Sequence, residues 1–249
     1  MDTATQPSPP AQGTPPSSAM RRAEVGLLIG APVVLLLGRA LLVPFDDQQW
    51  DGMLTTMAEH PTRNAIGWSL ALLAAGVLSA AGFVLVRLVA RSRPKLAFAA
   101  LIGVVTGWAG TAAVASGGLV MGDMAKNPER EAMVSVLSGF NEGNGNTVFF
   151  MVLTGVIGNI ALAVAFARSG VASRGVAILF GVGAVGSLVA SPGPARPVAL
   201  VAGALLLAGQ VLVLRSSTQA APQALETPTT RTDQARHQAP DAEPVIAAR

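Results

Sequence analysis

RLVARSRPK, residues 87–95, places four cations (Arg87, Arg91, Arg93 and Lys95) and Pro94 between two long apolar runs. Basic clusters that separate membrane helices are retained on the cytoplasmic side of the bilayer. Assigning this connector to the cytoplasm orients every other connector. Working outward, the hydropathy pattern predicts spans over residues 25–43, 65–86, 96–121, 147–167, 175–190 and 197–214. Most approach the ~20 residues that an α-helix needs to cross ~30 Å of hydrocarbon. Pro44 closes the first span, and Pro32 within it removes one backbone hydrogen bond, which predicts a kink.

Composition supports the same class. The 249 residues are 51% hydrophobic and 12% charged, with mean hydropathy +0.52, whereas about a quarter of residues are charged in soluble globular chains. The fold class is therefore all-α: a polytopic membrane protein with six transmembrane helices and two short extracytoplasmic amphipathic helices. Residues 1–23 and 216–249 are rich in Pro, Ala, Thr, Ser and Gln and read as disordered cytoplasmic tails around a membrane domain at 24–215.

Charge distribution gives independent support for the orientation. Cytoplasmic connectors also hold Arg21, Arg22, Arg168, Arg174 and Arg215, with Glu24 as the nearby acid. Outer connectors hold Arg63, Lys126, Arg130 and Arg196 among eight acids. This is the lysine and arginine asymmetry of a multi-pass bacterial plasma-membrane protein with both termini inside.

Both large outer loops carry helical periodicity. Trp50, Met53, Leu54 and Met57 recur at i, i+3, i+4 and i+7, and Pro61 follows the end of that segment. Met133, Val136, Leu137 and Phe140 repeat the spacing, with Asn127 as the predicted N-cap and Pro128 at the first helical position. The following NEGNGN, residues 141–146, reads as a glycine-asparagine turn. Trp68, Phe149 and Phe150 read as an aromatic belt at the outer interface.

Several chemistries lack their residues. Without cysteine there are no disulfides and no thiolate metal sites. His60 is the one histidine outside the tails, so neither a histidine-rich metal site nor an axial-histidine haem bundle can be assembled. No cofactor, metal ligand set or catalytic residue is expected. No basic surface interleaved with aromatics argues for nucleic acid as a partner. The predicted spans contain no Asp, Glu, Lys or His in their apolar interiors, unlike the relays of energy-coupled transporters.

The candidate ligand-binding residues are Arg39, Asp46, Asp47, Asp51, His60, Asn159 and Gln210. Arg39, the lone formal charge well inside a span, reads either as an anion contact facing the bundle or as a partner of Asp46, Asp47 or lipid phosphate. Asp46, Asp47, Asp51, Glu59 and His60 crowd one outer loop, and Asp123, Glu129, Glu131 and Glu142 crowd the other. Such groups can hold a hard cation or exchange protons, or can simply solvate helix faces. Asn159 and Gln210 read as interhelical hydrogen bonders. Gly103 and Gly107, in GVVTG, with Gly110 and Thr111 form a small-residue face, and Gly183 with Ser187 repeats it.

The segment from Asp47 to Leu88, with Ala58, His60 and Pro61 in an A-x-H-P pattern ahead of the second apolar run, resembles the first hairpin of a group of six-span actinobacterial integral membrane proteins of unknown function. The resemblance extends over about residues 20–215 and implies a six-helix bundle. It implies no functional residues. Function narrows to three readings: a non-enzymatic binding or interaction protein engaging the lipid bilayer, another membrane protein or a second copy; a passive transporter lined by Arg39, Thr106, Thr111, Asn159 and Gln210; or an enzyme using outer carboxylates and His60.

Overall fold

A computed structural model describes residues 18–43, 49–190 and 196–223, with the side chains at 18, 140–144 and 219–223 outside the description. Every regular element among these residues is an α-helix: α1 (Ser18–Leu41), α2 (Trp50–Glu59), α3 (Pro61–Ala90), α4 (Pro94–Met124), α5 (Arg130–Ser169), α6 (Arg174–Val189) and α7 (Arg196–Gln223). Five helices are long and apolar enough to cross a membrane. The chain is a multi-pass membrane protein. The 16-residue α6 is apolar but shorter than these five.

Helix boundaries follow proline and glycine. Pro61 and Pro94 occupy the first turns of α3 and α4, where the missing amide proton has no intrahelical partner to lose. Gly170 ends α5 in the left-handed region at φ 75°, a conformation that costs other residues a clash at Cβ. Helix α1 continues through Pro32.

The long helices form a closed ring. Each packs against its neighbours in the order α1, α3, α4, α5, α6 and α7, and α7 returns to α1. Neighbours are antiparallel. Gly103 faces Gly158 while Gly107 faces Gly155, so residue numbers rise on α4 as they fall on α5. A Cβ on Gly103 would lie 2.4 Å from the Gly158 Cα, and one on Gly107 would lie 2.4 Å from the Gly155 Cα. This small-residue face lets two backbones touch, and dispersion between them substitutes for the hydrophobic drive that lipid removes. On α6, a Cβ on Gly183 would meet the Leu206 backbone nitrogen at 2.2 Å.

Several expected boundaries move. The segment 141–146 is helical, so the second amphipathic segment and the following span form the single 40-residue α5. A local turn signal yields where flanking helical segments continue in register. Glu129, rather than Asn127, is the N-cap of α5, and the Asn127 side chain accepts from the Glu129 amide at 2.9 Å. Val136 is half exposed and Leu137 is buried, so the predicted apolar face is only partly covered. At the tails, helix occupies residues 18–23 and 216–223; residues 1–17 and 224–249 lie outside the description.

In α2, Leu54 and Met57 are buried, and Met57 joins Leu42, Trp68, Ala71 and Ala115 in a satellite cluster. Arg130 ties α2 to the start of α5 by donating to the Asp51 carboxylate, the Asp51 carbonyl and the Thr55 hydroxyl. The two outer helical segments therefore meet over one end of the ring.

Candidate functional site

A cavity of about 450 Å³ lies at the α2 end of the ring. Five ring helices contribute to it: α1 through Leu35 and Arg39, α3 through Trp68, α4 through Thr111, α5 through Phe149 and Leu153, and α6 through Leu188. Its wall is apolar except at a few points. Among the described residues, the lining carries one formal charge, that of Arg39, and no acid.

Arg39 lies in the last turn of α1 and is 8% exposed. Its guanidinium donates to the Ala199 carbonyl on α7 at 3.2 Å and to the Ser187 carbonyl on α6. This burial leaves little of its surface exposed. Among the described residues it pairs with no carboxylate; Asp46 and Asp47, its other expected partners, lie outside the description.

Two further arginines extend the arrangement. Arg63, in the first turn of α3, donates to the Leu41 carbonyl at 2.7 Å, and Arg196 donates to the Ala40 carbonyl. Asn64 is 2% exposed and accepts from the Val43 amide at 3.2 Å. The arginine bonds to Ser187, Leu41 and Ala40 share one physical cause. A helix leaves its last carbonyls unpaired, a bilayer supplies little water to satisfy them, and a guanidinium fork offers five donors to acceptors in one region. The positive charges also complement the negative end of the α1 dipole.

Trp68 corrects the aromatic-belt expectation. It is 5% exposed, it packs so closely on Gly118 that a Cβ there would lie 2.3 Å from its ring, and its Nε1 proton has no acceptor among the described residues. Phe149 and Phe150 are 62% exposed and meet edge to face at 5.8 Å, and Phe149 also lines the cavity. The cavity wall thus places one buried cation in an otherwise apolar surface.

The other candidates do not converge here. Asn159 and Gln210 are buried, yet neither lines the cavity. Asn159 donates to the Gly155 carbonyl of its own helix at 2.9 Å, so the interhelical bond expected of it is absent, and the Gln210 Oε1 has no partner. Asp51 is engaged by Arg130. His60 joins α2 to α3 as an exposed residue whose side chain makes no capping bond. Among the described residues no group of three or more His, Cys, Asp or Glu side chains could hold a metal.

The chain matches no family model, no curated protein and no solved structure. The chemistry of the site is therefore the ground for a functional reading. Arg63, Asn64 and Arg196 escaped sequence reasoning because each reads locally as a topology charge or a first-turn polar residue. The available signal was position: all three stand in the connectors facing the end of α1.

Proposed function

We propose that this chain is a non-enzymatic, six-span protein of a bacterial plasma membrane, with both termini inside, that binds an amphiphile in its outer cavity. The proposed ligand pairs an apolar chain with an anionic or strongly accepting head. The observation that carries this reading is a cavity of about 450 Å³ with apolar walls, no acid among its described lining residues, and a buried Arg39. Pockets built this way use apolar surface for affinity and a few polar groups for orientation. Helix α6 is the sixth span on this reading, supported by its place in the ring between α5 and α7. The resemblance to six-span actinobacterial proteins suits the same architecture.

Passive transport has weaker support. Of the proposed path residues, Arg39 and Thr111 line the cavity, whereas Thr106, Asn159 and Gln210 do not. Beyond it the ring is filled by fully buried Leu78, Leu85, Leu162, Phe166 and Phe180. An enzymatic reading lacks a cluster of candidate acids and bases among the described residues.

The test is thermal stability of the purified full chain in detergent against a long-chain carboxylate, its neutral alcohol and a short-chain carboxylate. A ligand that binds only the folded state stabilises it by mass action, by about 2.7 kcal/mol at one hundred times Kd. The long-chain carboxylate is expected to raise Tm saturably, with the alcohol weaker and the short acid inactive. Loss of that response in Leu153→Trp, which fills the cavity from a partly exposed wall, supports the site; an undiminished response in that variant refutes it.

A further inference from the structure

A second cavity, of about 540 Å³, opens at the opposite end of the bundle and is lined by Ser92, Arg93, Pro94, Lys95, Leu96, Ala99 and Arg168. Its cations come from separate helix ends. Arg93 is the N-cap of α4 and Lys95 lies in its first turn, whereas Arg168 belongs to the last turn of α5. Topology signals need only lie on the correct side of the membrane, whereas these three charges share one concave surface.

Local acids do not neutralise them. Glu24, the acid at this end among the described residues, pairs with Arg87 at 3.1 Å. Arg93, Lys95 and Arg168 make no ion pair among the described residues. The α4 N-terminus adds a smaller contribution of the same sign. Lys95 and Leu96 precede the first intrahelical amide bond, from Ala97 N to the Arg93 carbonyl at 2.9 Å, and free amides at a helix start favour an anion.

The same wall turns apolar on the membrane side. Lys95, Ala99 and Ile102 lie on one face of α4 at i, i+4 and i+7; Ala99 is exposed and Ile102 is 50% exposed. Phe98 beside them is 66% exposed. A charged recess continuous with an exposed apolar stripe matches a phosphate head joined to acyl chains better than a soluble phosphate.

We propose that this recess is a binding site for the phosphate headgroup of an anionic lipid, held by Arg93, Lys95 and Arg168, with the acyl chains along Ala99 and Ile102 of α4. The site is independent of the outer cavity. Basic pockets between membrane helices recognise anionic headgroups through charge and hydrogen bonding together.

The experiment titrates the purified full chain with phosphatidylglycerol, phosphatidylcholine or inorganic phosphate. Retained lipid is read by native mass spectrometry and Tm by thermal denaturation. Phosphatidylglycerol is expected to be retained and to raise Tm saturably, while phosphatidylcholine does neither. Arg93→Gln combined with Arg168→Gln weakens apparent affinity about 25-fold, at about fivefold per cation. Arg93→Lys combined with Arg168→Lys preserves most of the binding, and Arg87→Gln, which removes the cation already paired with Glu24, leaves it unchanged. Where the double glutamine variant fails to insert, Arg168→Gln alone gives about a fivefold loss on the same basis. Equal retention of phosphatidylcholine overturns the proposal. So does an inorganic phosphate response matching that of the lipid, which assigns the recess to a soluble anion, or unchanged affinity in a folded glutamine variant.

Discussion

The two ends of the bundle handle arginine in opposite ways. At the α2 end, Arg39, Arg63 and Arg196 are directed at backbone carbonyls of α1, α6 and α7, and the ring interior there stays open. At the other end Arg93, Lys95 and Arg168 are exposed, and the interior is closed by Phe166 and Phe180, whose rings meet edge to face at 5.4 Å. At the first end guanidinium groups meet backbone carbonyls, whereas at the second the cations stay at the surface. The open end therefore depends on polar contacts and the closed end on dispersion.

The largest effect tests whether the ring has one rigid seam connecting both halves. Gly107→Leu forces a side chain into the Gly155 backbone, and overpacking of a rigid contact costs about 3 kcal/mol or more. Loss of monodisperse folded protein in detergent is the expected readout; a Tm within two degrees of the parent would show that α4 and α5 can separate freely. Next, Phe166→Ala in the closed half is expected to cost about 3 kcal/mol, the lower part of the range for large aromatic truncations, because lipid already solvates apolar groups. Denaturant unfolding in micelles measures it.

Arg39→Gln follows, at about 1–3 kcal/mol, because the Ser187 and Ala199 carbonyls lose charged donors while remaining buried. Arg39→Lys should recover only part of that loss, since an ammonium lacks the planar fork that spans two acceptors. If both variants match the parent, the contrast between the two ends is structural ornament rather than energetics. The smallest effect belongs to the surface. Arg130→Gln removes an exposed pair with Asp51, expected at about 0.2–1 kcal/mol and diminished by salt. A larger, salt-insensitive loss would make the α2 contact a structural lock on the open end.

Arg39 shows how far a local reading reaches. Its position inside an apolar run marks it as costly and worth attention, but its burial follows from α6 and α7, distant in the chain, bringing Ser187 and Ala199 beside it. Trp68 carries the same lesson in reverse. An aromatic near the end of a span reads as an interface anchor, yet the absence of a side chain at Gly118 gives this indole a place inside. NEGNGN contains the residues of a turn, and helical continuity across α5 prevailed over them.

Membrane-spanning length and apolarity, the helical character of the α2 segment and the lopsided distribution of cations were determined by sequence alone, because each is a property of consecutive residues. The order of the ring, its cavity and the interior positions of Arg39 and Trp68 were decided by tertiary structure. On α3, Leu73 is 55% exposed and Leu78 is 2% exposed, although they are the same residue type. Lipid is as apolar as leucine, so a membrane helix needs no polar face to mark its outside. Which face meets protein is settled by the shapes of its neighbours.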